Sequence, residues 1–160
     1  MSSGLADYRD LLPRGDADAL HIELDDGAIL ISGRYALIMI REDEVIDSAM
    51  WYEVQSARWE GEKQELSVNW VDPARSPLVV HSSHSPMRPF MEDISEKVNR
   101  TQVLVRSVKA PNGAVITAQI RKREDGELFS VLAARGRLDD EAMELAHSLE
   151  KQLRESVGLE

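Results

Sequence analysis

The sequence predicts a mainly β chain whose helices stand apart from its strands, an α+β architecture. Three observations predict it. From Ala19 to His81, short segments with an apolar residue at every second position follow one another, separated by turn residues and not by helical stretches. Helical apolar spacing comes only after runs of strands, once from Ser85 and once from Asp139. Strands joined by short turns form antiparallel meanders, which excludes a doubly wound nucleotide-binding sheet.

Residues 1–18 are expected to be a flexible N-terminal segment in which Asp7–Leu12 has room for one helical turn before Pro13. Arg14-Gly15-Asp16 spells an adhesion triplet, read here as chance because no disulfide-held loop could display it. Leu20, Ile22 and Leu24 alternate with His21, Glu23 and Asp25 as a first strand, and Asp26-Gly27 supplies a tight turn. Ala28–Ser32 and Tyr35–Arg41 follow, with Gly33-Arg34 between them as a bulge or turn. Tyr35–Ile40 is apolar on both faces and should be covered on both. Glu42-Asp43-Glu44 is a turn, and Val45, Ile46 and the Met50–Val54 segment are expected to be a fourth strand and its exit, with a corner at Trp51-Tyr52-Glu53-Val54. Gln55–Trp59 and Glu65–Val71 flank the polar turn Glu60–Gln64, and Pro77–His81 is a seventh short strand.

Ser85 can cap a helix whose first position suits Pro86, and Met87, Phe90, Met91, Ile94 and Val98 give about four turns a greasy face. Val103, Val105 and Val108 then mark a strand, and Asn112-Gly113 is the strongest hairpin signal in the chain. Val115–Arg121 alternates, Asp125-Gly126 turns, and Leu128–Ala134 is the last strand. Asp139 caps the final helix, with Leu138 placed to staple against Met143. Ala142, Leu145, Leu149, Leu153 and Val157 form its stripe, and Gly158 ends it.

Composition removes several function classes. The chain has 160 residues, no cysteine and a formal charge of -10, so disulfide frameworks, thiol catalysis and cysteine-held metals are out. Met1–Asp7 lacks the basic start and apolar run of a signal peptide. No stretch reaches the roughly 20 apolar residues of a membrane span. The expected compartment is the cytoplasm. Residues 1–80 carry 7 Lys/Arg against 16 Asp/Glu, a net of -9, and residues 81–160 carry 12 against 13, a net of -1. That field disfavours nucleic acid and anionic membranes as partners.

Seven meandering strands followed by one amphipathic helix over residues 19–100 resemble a pleckstrin-homology-like barrel capped by a helix. The local signs are Gly33-Arg34-Tyr35-Ala36-Leu37, Trp51-Tyr52-Glu53-Val54 and Leu66-Ser67-Val68-Asn69-Trp70. The whole chain is similar to a family of short, uncharacterised proteins from high-GC Gram-positive bacteria. That resemblance runs through Trp51-Tyr52-Glu53-Val54 with Ala57-Arg58-Trp59, Leu66-Ser67-Val68, and Phe90 with Ile94-Ser95-Glu96-Lys97-Val98. It continues at Arg154 with Val157-Gly158-Leu159. These are framework residues, and the resemblance implies no activity, cofactor or catalytic residue. Residues 101–160 are then a β-β-β-α extension packed on or beside the barrel.

Two clusters are candidate sites. His81-Ser82-Ser83-His84 holds catalytic vocabulary: His81 and His84 could share a metal, and Ser83 with a histidine could make a nucleophile and base. Three-residue spacing in a loop fixes no common direction, and neither a His-Glu-x-x-His nor a Gly-x-Ser-x-Gly pattern occurs. Arg106, Arg121, Arg123 and Arg135, with Lys109, Lys122 and Arg137, could form a basic patch, which would pair with the acidic half within the molecule or across a dimer. Trp51, Trp59 and Trp70 are assigned to the core. The function expected is a non-catalytic protein-interaction or scaffold module that binds a protein partner or itself, without a cofactor. The alternative is a small-molecule or metal binder, or a hydrolase, using the His81/His84 loop.

Overall fold

The computed structural model describes Leu12, Asp16 and residues 18–159. Most of the expected N-terminal segment, including the helical turn at Asp7–Leu12 apart from Leu12 itself, lies outside the described residues. Asp16 does not fit a flexible tail: it is buried, and its carboxylate accepts the Arg34 N–H at 3.0 Å. The chain divides into two compact units, one ending at Val98 and the other beginning at Asn99.

The first unit opens with an antiparallel sheet of β1 (Leu20–Glu23), β2 (Ile29–Ser32), β3 (Ala36–Arg41) and β4 (Glu44–Met50), in that spatial order. Glu42 and Asp43 both take positive φ and join β3 to β4 in a two-residue turn, with Arg41 paired to Glu44. At the β2–β3 turn, Gly33 has no room for a side chain, because an added Cβ would meet Asp16 and the Ala36 carbonyl. A second sheet follows, β5 (Val54–Glu60), β6 (Glu65–Trp70) and β7 (Leu78–His81). The helix α1 (Met87–Thr101) comes after it.

The expected closed barrel is not confirmed: the seven strands lie in two open sheets, and no sheet among the described residues is closed. The break falls at Trp51–Val54, the corner expected as the exit of the fourth strand. There, Trp51–Glu53 forms a single 3-10 turn, and the Glu53 carboxylate accepts the Met50 N–H at 2.7 Å. That turn carries the chain out of the first ladder and into β5. At the other end of the unit, β1 and β7 are only four residues each, and their ends meet through the Asp25 N–H and the His81 carbonyl, 2.9 Å apart.

One apolar cluster joins both sheets and the helix. It holds Ile22, Leu30, Leu37 and Met39 from the first sheet, Leu66, Val68 and Trp70 from the second, and Phe90, Ile94 and Val98 from α1. Each such side chain, fully buried, stabilises by roughly 1.5–3 kcal/mol. The period of two places Ile31, Ile38 and Ile40 on the opposite face of the first sheet, buried with Leu12 and Ala19 packed against them. The run from Tyr35 to Ile40 is therefore covered on both faces, except at Tyr35 itself, which is 45% exposed. Trp51 and Trp70 are core residues whose indoles donate to the Gly33 and Ser76 carbonyls, each at 2.9 Å.

The second unit is a sheet of β8 (Gln102–Lys109), β9 (Val115–Lys122) and β10 (Leu128–Arg135) in the order β10-β9-β8, followed by α2 (Asp140–Ser156). Gly113 takes positive φ in the Asn112-Gly113 hairpin, as that turn requires. Asp139 caps α2 by accepting the Ala142 N–H at 2.8 Å. Ala142, Ala146, Leu149 and Leu153 bury against Ile116, Ala118 and Ile120 of β9.

Candidate functional site

The loop after β7 is held by its own serines. Ser82 Oγ donates to the Glu23 carbonyl at 2.7 Å, and Ser85 Oγ accepts the Glu23 N–H at 2.8 Å. Ser85, expected as a helix cap, thus serves the end of β1. Ser83 donates twice to Asp25, from its N–H at 2.8 Å and from its hydroxyl at 2.7 Å. The Ser83 hydroxyl, and then its N–H, hold the Asp25 carboxyl below its usual range, with smaller help from His84 and His81. Asp25 is therefore ionised at neutral pH.

His81 and His84 are both exposed, and His81 Nε2 lies 3.2 Å from the Glu65 carboxylate. Among the described residues, no group of three or more His, Asp or Glu is placed to hold a metal. The Ser83 hydroxyl gives its proton to Asp25 and not to an imidazole, so the loop has the residues of a nucleophile and base without their hydrogen bond. Beside it lies a cleft of about 160 Å³ lined by Leu24, Asp25, Asp26, Val79, Val80 and His81. Asp26 on its rim pairs with Arg41.

A serine, a lysine and a carboxylate do meet elsewhere, at a place the sequence reading missed. Ser32 Oγ donates to Asp93 at 2.6 Å, and Lys97 Nζ donates to Ser32 Oγ at 2.9 Å and to Asp93 at 2.8 Å. The signal was the i,i+4 pair Asp93/Lys97 on one face of α1; its partner in β2, 61 positions from Asp93, has no local mark. Ser32 is fully buried. Lys97 is ion-paired and Ser32 donates to a carboxylate, so the group clasps α1 to β2 and offers a substrate no open oxygen.

The four arginines do not form one surface. In the β8–β9–β10 ladder, Arg106 stands opposite Ala118, on the face that packs α2, whereas Arg135 stands opposite Val115, on the other face. Arg121 is fully buried, donating to Gln119 at 3.1 Å and to Thr101 Oγ1 at 2.7 Å. Burial pulls its pKa down to about 10. Arg123 lies over the Phe129 ring, 4.6 Å from its centroid.

No helix among the described residues is long and apolar enough to cross a membrane. Compared with known proteins, the chain matches no family model, no curated protein and no solved structure.

Proposed function

We propose that the chain is a non-catalytic interaction module that binds a protein partner, or a second copy of itself, through the edges of its open sheets. One observation carries this reading. Of the ten large apolar side chains that stand exposed among the described residues, six lie on edge strands: Leu20 on β1, Val45 and Ile46 on β4, Val79 on β7, and Val103 and Val105 on β8. An edge strand presents unpaired main-chain groups, and apolar side chains there favour strand addition.

The proposed architecture of the first unit is the pleckstrin-homology-like plan, supported by seven antiparallel strands in sequence order and a following helix that shares their core. Membership of the high-GC Gram-positive family and a cytoplasmic location, the latter drawn from the cysteine-free sequence, belong to the same proposal. The small-molecule or hydrolase alternative would use the cleft beside His81. Its volume of about 160 Å³ is well under the roughly 300 Å³ at which ligand pockets begin.

Light scattering of the purified chain at micromolar concentration, with a pull-down, tests the reading. The expected result is self-association or a captured partner that Val105→Lys or Val45→Lys abolishes while melting is unchanged. A strict monomer that captures nothing refutes it, as does binding indifferent to both substitutions.

A further inference from the structure

The cleft in the first unit has three features that belong to one kind of ligand. The first is a free strand edge. β7 pairs with β6 on one side, and on the other its His81 carbonyl turns to the Asp25 N–H. Main-chain direction alternates along a strand, so Val79 turns its N–H and carbonyl the same way as His81, away from β6 and toward the cleft. The second is an apolar contact: Leu78 and Val80 pack on the core, while the Val79 side chain is 51% exposed. The third is charge. Asp25 stands on the cleft's rim at the His81 end, kept ionised by Ser83, beside Asp26, whose charge is paired with Arg41.

We propose that the free edge of β7, at Val79, takes an extended segment of another protein that carries a lysine or arginine at its amino-terminal end. The segment runs antiparallel to β7, which brings its first residues to the His81 end, where the cation meets Asp25. Its main chain bonds the Val79 N–H and carbonyl, and one of its apolar side chains lies against the exposed Val79 at the cleft, whose volume is about 160 Å³. Charge selects the occupant. A segment with an acidic first residue would bring like charges together in the same place. This site rests on the interaction reading above and gives it a location and a partner chemistry.

The experiment titrates the full-length, ¹⁵N-labelled chain with two blocked hexapeptides, Lys-Thr-Val-Thr-Val-Thr and the same sequence with Glu first. Saturable shifts of the Val79, His81 and Asp25 amides are expected with the lysine peptide at up to about millimolar concentration. Binding should weaken at least about tenfold for the glutamate peptide, and Asp25→Asn should erase that preference. Val79→Pro removes the outward donor and should also weaken binding about tenfold. Should that variant not fold, the lysine peptide methylated on alternate amide nitrogens, offered to the unaltered protein, tests the same bonds. Unmoved amides at Val79 and His81, equal affinity for both peptides, or undiminished binding after loss of the main-chain donors would each overturn the proposal. So would self-association that Val79→Pro abolishes, because β7 would then serve a second copy. If the peptides fail while light scattering detects a complex, this site falls and the interaction reading stands.

Discussion

Phe90 is the most direct test of the first unit's architecture. It sits on the inner face of α1, is 1% exposed, and belongs to the cluster shared by both sheets. Phe90→Ala removes the ring and leaves a cavity between three elements, a change that costs about 3–5 kcal/mol when the surroundings cannot collapse. Here the cluster that holds Phe90 draws on both sheets and α1, and the Ser32–Asp93–Lys97 clasp ties α1 to β2, so the upper half of that range is expected. With a urea dependence of about 1.5 kcal/mol per molar, the midpoint should fall by about 3 M. Phe90→Asp adds an unpaired buried charge and should leave the unit unfolded, since total stability is about 5–15 kcal/mol. The assay is tryptophan fluorescence in urea, because all three tryptophans, Trp51, Trp59 and Trp70, lie in the first unit. Arg88→Ala is the control: its side chain is 90% exposed in an i,i+4 pair with Glu92, and such pairs contribute little. A midpoint moved equally little by Phe90→Ala and Arg88→Ala would refute the placement of α1 in the core.

Three further outcomes are expected. Gly33→Ala would put a methyl 2.6 Å from Asp16 Oδ2 and 2.8 Å from the Ala36 carbonyl, and should cost about 1–3 kcal/mol; an unchanged melting temperature would refute the close packing there. Arg121→Met keeps the volume but takes the donor from buried Gln119 and Thr101 and should cost about 1–3 kcal/mol, whereas Arg121→Ala adds a cavity and should cost more; equal losses in urea would count against this account. The folded Asp25 carboxyl titrates below its unfolded value near 3.8, so the Ser83 contact stabilises the fold above about pH 4 and is lost as pH falls through the folded value. Hydrogen exchange at the Ser83 amide should therefore quicken on acidification, relative to a distant amide, and Asp25→Asn should flatten that dependence.

Local chemistry made much of the fold legible. The period of two found the strands, Asn112-Gly113 and Asp139 placed a hairpin and a helix start, and the double-sided run at Tyr35–Ile40 announced a sheet buried on two faces. The corner at Trp51–Glu53 was legible as a corner but not as a 3-10 turn, because the bonds that bend it, Trp51 to Gly33 and Val71 N–H to the Glu53 carbonyl, join positions 18 apart in the chain. The sites were legible as residue types and illegible as geometry. Alternation put Arg121 and Arg123 on one side of β9 but gave no sign that Arg121 would be buried against Thr101. The His81–His84 loop reads as a reactive cluster until Glu23 and Asp25, nearly sixty residues earlier, are seen to take its serines.

These displaced polar groups share a cause. Two sheets that do not close through their own ladders leave seams, and main-chain bonds alone do not cover them. In the first unit, side chains do that work. Ser82, Ser83 and Ser85 stitch the β7 loop to the end of β1, Ser32 with Asp93 and Lys97 fastens α1 to β2, and Asp16 ties down the β2–β3 turn beside the Trp51 indole. The hydroxyls, carboxylates and amine that would otherwise suggest a reaction centre are thus spent on holding an open architecture together. What the fold leaves uncommitted is of a different kind: the outward backbone of β7 at Val79 and exposed valines on the outer strands. Main-chain donors and apolar side chains recognise another polypeptide far better than they activate a small molecule. The division between spent polar groups and open edges is the physical ground for preferring a binding module to an enzyme.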